Sequence, residues 1–77
     1  MRILVLWSGR VSKNTHRIIF EYLVSLAYES RTHIRLLKGG TLESLDRMRF
    51  LWLDVEGNVD RFLERVRENY TVYREVR

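Results

Sequence analysis

The chain predicts an α+β domain in which one antiparallel sheet lies under two helices, and two observations carry that prediction. Short apolar runs of strand length alternate with two stretches whose apolar residues recur every three or four positions. The run from Met48 to Gly57 (Met-Arg-Phe-Leu-Trp-Leu-Asp-Val-Glu-Gly) is apolar on both sides of the strand it predicts. Leu51, Leu53 and Val55 point one way, Met48, Phe50 and Trp52 the other. Only one of those faces can meet the domain's own helices, so the other needs a partner of a different kind.

Arg2 to Ser8 is a continuous apolar run, the pattern of a central strand covered on both sides, and it stops at Gly9. Between Asn14 and Glu29, Ile18, Ile19, Tyr22, Leu23, Leu26 and Ala27 mark an amphipathic helix, with Ser12 or Asn14 as its N-cap. A second strand starts at His33, and Gly39-Gly40 reads as a bulge inside a longer strand that continues through Thr41 to Leu45. Asp46-Arg47 then makes the hairpin tip before the two-faced strand. Asn58 caps a second helix with Val59, Phe62, Leu63 and Val66 on its apolar stripe, and Thr71 to Val76 alternates as a final strand.

The order is β-α-β-β-α-β, the split βαβ or ferredoxin-like arrangement. Right-handed crossovers put both helices on one face of a four-stranded antiparallel sheet with strands one and three in the centre. Residues 1-77 form one domain, with no linker or repeat. At this size only about 60% of the unfolded chain's surface is buried, which favours self-association.

The composition, 45% hydrophobic and 31% charged, is that of a soluble globular protein, and the absence of cysteine excludes disulfides, thiolate metal sites and a thiol nucleophile. No apolar run has the length of a secretory or membrane segment, so a cytoplasmic location without membrane insertion is expected. The net charge of +4 comes from cations spread along the chain, many within a helical turn of an acid. Diffuse solvated charge is the simpler reading than a nucleic-acid surface.

The chain resembles the NIL domain, a ferredoxin-like regulatory module of the ATPase subunit of methionine ABC importers that also occurs alone or fused to iron–sulfur ferredoxin modules. The resemblance runs through the strand ending in Ser8-Gly9, the helix from Asn14, Ile34-Arg35-Leu36-Leu37-Lys38-Gly39-Gly40, Phe50 to Gly57, and Val72-Tyr73-Arg74-Glu75-Val76. It implies a homodimer that binds an amino acid at the interface, and a transporter or ferredoxin-linked partner protein. It would place ligand contacts at Arg35, Leu36, Leu37, Gly39 and Gly40. Arg35 stands where the family's Asn-Ile-Leu triplet has Asn, a change from neutral amide to guanidinium that suits a carboxylate-bearing ligand.

The other chemistry-bearing residues give weaker signals. His16 and His33 lie on different elements with no carboxylate at a ligand spacing, so no metal or other cofactor is expected. Ser8-Gly9-Arg10-Val11-Ser12-Lys13-Asn14 joins a strand to a helix N-terminus, a geometry that favours anions and that acylphosphatases of this topology use for phosphate. The loop lacks that family's repeated glycines, and no Asn in the third strand could position a water. Asp54 and Glu56 share a face but precede a glycine turn, which suggests solvated carboxylates. Trp7, Phe50 and Trp52 could stack bases as in RNA-recognition domains, but their glycine-containing motif is absent.

The expectation is a non-enzymatic regulatory, ligand-binding or self-association domain with Phe50 and Trp52 at the protein interface. Single-stranded nucleic-acid binding through the open sheet is the alternative.

Overall fold

Antiparallel pairing of the two most apolar strands builds the centre of the molecule. The computed structural model describes residues 1–9, 15–43 and 47–75. Its elements are β1 (Arg2–Ser8), α1 (His16–Glu29), β2 (Thr32–Leu42), β3 (Met48–Gly57), α2 (Val59–Arg67) and β4 (Thr71–Arg74). The strands form one sheet in the order β2-β3-β1-β4, every neighbouring pair antiparallel. This is the expected α+β, ferredoxin-like βαββαβ arrangement, with strands one and three in the middle.

Cross-strand partners share a face, so the register sorts the side chains. Ile3 sits opposite Leu53 and Val5 opposite Leu51 on one side and Val72 on the other, and with Trp7 and Val55 these residues pack under the helices. From above, α1 contributes Ile19, Leu23, Leu26 and Ala27, and α2 contributes Phe62, Leu63 and Val66. Ile18 and Tyr22, expected in the same stripe, are exposed. The buried positions follow a narrow row of three- and four-residue steps, and these two lie just off it. Tyr22 instead accepts a hydrogen bond from the Asn69 amide at 3.3 Å and sets its ring edge-on to Tyr70. Burial, with the Tyr22 phenol as a second cause, raises the pKa of Tyr70 above the ordinary tyrosine value.

The cap of α1 is Thr15, whose hydroxyl accepts from the Ile18 amide at 3.3 Å; the expected caps Ser12 and Asn14 lie outside the described residues. Asn58 does precede α2 as expected, but its side chain makes no capping bond. Asp60 in the first turn of α2 and Arg65 and Arg67 in its last complement the helix dipole instead. Residues 44–46, which include Leu45 and Asp46 of the expected hairpin, are not described. Arg47, which closes that hairpin, has φ 59, the left-handed conformation of a tight turn. The last strand stops at Arg74, and Val76 is not described.

Where α1 hands over to β2, Ser30 caps the helix and Arg31 takes φ 54, a C-terminal position usually given to glycine. The buried Thr32 hydroxyl lies 3.2 Å from the Ser30 carbonyl and 3.1 Å from that of Asn58, joining the end of α1 to the start of α2. Gly57 has φ 110, and a Cβ there would come within 2.7 Å of the Arg31 carbonyl oxygen, so this crossing of chains requires glycine.

Among the described residues no helix is long and apolar enough to cross a membrane. Leu53, fully buried between Ile3 and Leu36, tests the register directly. Leu53→Ala is expected to cost about 2–5 kcal/mol in denaturant unfolding, against well under half of that for the half-exposed Leu36→Ala.

Candidate functional site

The helix-free face of the sheet carries a row of charge and, beside it, an apolar belt. The row collects at the start of β1: Arg35 donates to Asp54 at 3.2 Å, the Met1 ammonium sits 3.4 Å from the same carboxylate, and Arg2 lies 3.8 Å from Glu75. Asp54 is therefore a partner in an ion network rather than a free carboxylate, while Glu56 stays exposed. A hollow of about 260 Å³ lies among His33, Ile34, Arg35, Asp54 and Glu56.

The belt comes next along the strands. Leu4 pairs with Trp52 on one side and Tyr73 on the other, and Leu6 pairs with Phe50 and Thr71. Tyr73 is 57% exposed and Trp52 half-buried, whereas Phe50 keeps only 8% of its surface. Gly40 explains the difference. It sits opposite Phe50, and a Cβ there would lie 2.9 Å from Cε1 of the ring. The ring has folded onto the space the glycine leaves, an aromatic covering a strand glycine.

The bulge in β2 falls at Leu37, earlier than the Gly39-Gly40 position that the sequence suggests: Leu36 pairs with Leu53 and Lys38 with Trp52. The two glycines stay in register because both their faces are filled. Leu51 and His16 approach Gly39 on the helix side, as Phe50 covers Gly40 on the other. The extra residue brings Leu37 to the open face beside Lys38, while Leu36 points to the helix side. Together with Arg2, Trp52 and Glu75 they line a second hollow of about 200 Å³.

Of the five residues to which the resemblance assigns ligand contacts, Leu37 reaches this hollow and Arg35 lines its charged neighbour. Leu36 lies on the opposite face, and the space at Gly39 and Gly40 is occupied by the protein's own side chains. Phe50 and Trp52 both stand on the helix-free face, as expected. Trp7 does not: it is buried under the helices, edge-on to His16 at 5.3 Å and to Tyr70 at 6.5 Å.

His16 Nε2 donates to the Gly40 carbonyl at 2.7 Å, which clips the start of α1 to β2. Among the described residues no three His, Asp or Glu side chains converge as a metal site. Most of the candidate anion loop, residues 10–14, lies outside the described residues. Arg2, Lys38 and Glu75, which border the Trp52 hollow, could not be assigned from sequence because they come from β1, β2 and the segment after β4 and meet only through the strand pairing. Comparison with protein-family models, curated proteins and solved structures gave no significant match to this chain.

The Phe50–Gly40 contact has a direct test. Gly40→Val is expected to lose about 1–3 kcal/mol through overpacking. Adding Phe50→Leu should recover part of that loss, a positive coupling in a double-mutant cycle read by thermal unfolding.

Proposed function

We propose that this chain is a non-enzymatic, NIL-like regulatory module that pairs with a second copy through the helix-free face of its sheet and holds a small amino-acid-like ligand at the margin of that contact. The observation that carries the reading is the belt on the helix-free face, where Leu4 and Trp52 are half-buried and Tyr73 exposed beside the buried Leu6 and Phe50, and which no described helix covers. A two-layer domain leaves this surface to water unless something else meets it, and a contiguous apolar patch favours contact with another protein surface. A second copy suits it because the bordering row holds both signs, Arg2 and Arg35 with Glu56 and Glu75, and a two-fold rotation can set one sign against the other.

The Trp52 hollow supports the ligand half of the reading. Arg2 and Lys38 are suited to a carboxylate, Glu75 to an ammonium, and the indole of Trp52 with Leu37 to an apolar side chain. A volume of about 200 Å³ suits one amino acid. Stacked nucleotides fit this face less well, since Trp7 is under the helices and the Phe50 ring lies against Gly40.

In light scattering at tens of micromolar, the wild type is expected at twice its 9.4 kDa chain mass and Trp52→Glu at the single-chain mass. A monomeric wild type would overturn the association. In a thermal-shift screen of free amino acids, methionine or an acidic amino acid in large excess is expected to raise Tm by several degrees, as about 2.7 kcal/mol accrues at a hundred times Kd. No shift with any amino acid removes the ligand and leaves the dimer standing.

A further inference from the structure

The outer edge of β2 has a different character from the sheet face. β2 lies at the margin of the sheet and pairs with β3 alone among the described strands. An edge strand turns alternate N–H and C=O groups outward, ready to accept another strand. The bulge at Leu37, followed by Lys38, blunts the far part of this edge. Before it, Thr32 to Leu36 runs in unbroken register against Gly57 to Leu53, a stretch of roughly 17 Å. The opposite edge, β4, is four residues long.

A groove of about 690 Å³ accompanies this part of β2, walled by Val24, Ala27 and Tyr28 of α1 and floored by Thr32 to Ile34. Tyr28 is 87% exposed, and Val24, one turn before it, is exposed as well. Leu36 continues the floor on the same face of the strand, 45% exposed. The groove therefore offers apolar contact on both walls beside open backbone groups, the two elements that strand addition uses for affinity and for side-chain selection.

Charge decides the occupant. Arg31, His33 and Lys38 make no ion pair among the described residues, while Glu29 at the same end is engaged by Arg65 at 3.6 Å. A second β2 laid antiparallel on the first would bring Arg31, Arg35 and Lys38 close to the same three cations, and like charges across a strand pair are destabilising. A strand with acidic residues gains where a second copy loses. We propose that the Thr32–Leu36 edge of β2 and the groove beneath α1 bind an extended segment of another protein that alternates acidic with aliphatic residues and adds to the sheet as a fifth strand.

The test titrates isotope-labelled protein with the capped peptide acetyl-Glu-Val-Glu-Val-Glu-Val-amide and follows backbone amide resonances. Changes are expected at Thr32 to Leu36 and Val24 to Tyr28, with an affinity that falls as salt is added. Replacing each Glu of the peptide by Lys should weaken binding at least about tenfold. Tyr28→Glu and Arg31→Asn, both at exposed positions and the latter tolerant of a positive φ, should weaken it several-fold with the fold intact. Trp52→Glu should leave peptide binding unchanged, which separates this site from the self-association face.

No resonance change at millimolar peptide, equal binding of the Lys peptide, or changes centred on Leu4 and Trp52 would each overturn the proposal. So would a dimer of the wild type that Arg31→Asn alters, which would assign the edge to a second copy.

Discussion

The antiparallel register that seats β3 between β1 and β2 decides the rest of the molecule. Setting Leu53 between Ile3 and Leu36 also sets Leu51 against Val5 and Val55 beside Ile34, and all of these then face the helices. The same alignment leaves Phe50 and Trp52 with Leu4 and Leu6 on the far side. A shift of one residue would exchange the two sets and put Asp54 and Glu56 under α1 and α2, where an unpaired charge costs several kcal/mol. The buried face is what specifies the register, and the open face inherits its composition from that choice.

Periodicity made the order of elements and the central place of the third strand legible, because those depend on which residues recur at helix or strand spacing. Ile3, Val5, Leu51, Leu53 and Val55 belong to the core for the same reason. What stayed hidden was set by contacts between distant parts of the chain. The ladder breaks at Leu37 rather than at the glycines because Phe50 and Leu51 occupy the room that Gly40 and Gly39 leave. Trp7 reads as a possible stacking platform until the pairing with Arg49 shows which face of β1 it takes. Thr15 rather than Asn14 caps α1, a difference of one residue of the kind that local signals leave open. Of the candidate site, Trp52 and Phe50 could be assigned to the helix-free face from alternation alone, whereas the charges around Trp52 come from β1, β2 and the segment just after β4.

The protein keeps two exposed apolar features apart. The belt on the open face is framed by charges of both signs, whereas the groove under α1 is lined by Glu29, which Arg65 engages, and by Arg31, which makes no ion pair among the described residues. β2 contributes to both because its side chains alternate between them, Arg35 and Lys38 to one and Ile34 and Leu36 to the other. The clip from His16 to Gly40 and the Thr32 hydroxyl between Ser30 and Asn58 hold the helices over this strand at its two ends.

Leu37 is the residue of β2 that the ladder with β3 does not count. Its deletion would set Leu36 beside Leu53 and Lys38 beside Trp52 in plain succession, with neither flank changing face. Loss of a residue from β3 would invert everything beyond it. The length of β2 is thus free to vary by one residue around this point, and in the history of such a chain this is where an insertion or deletion could be accepted without disturbing the core.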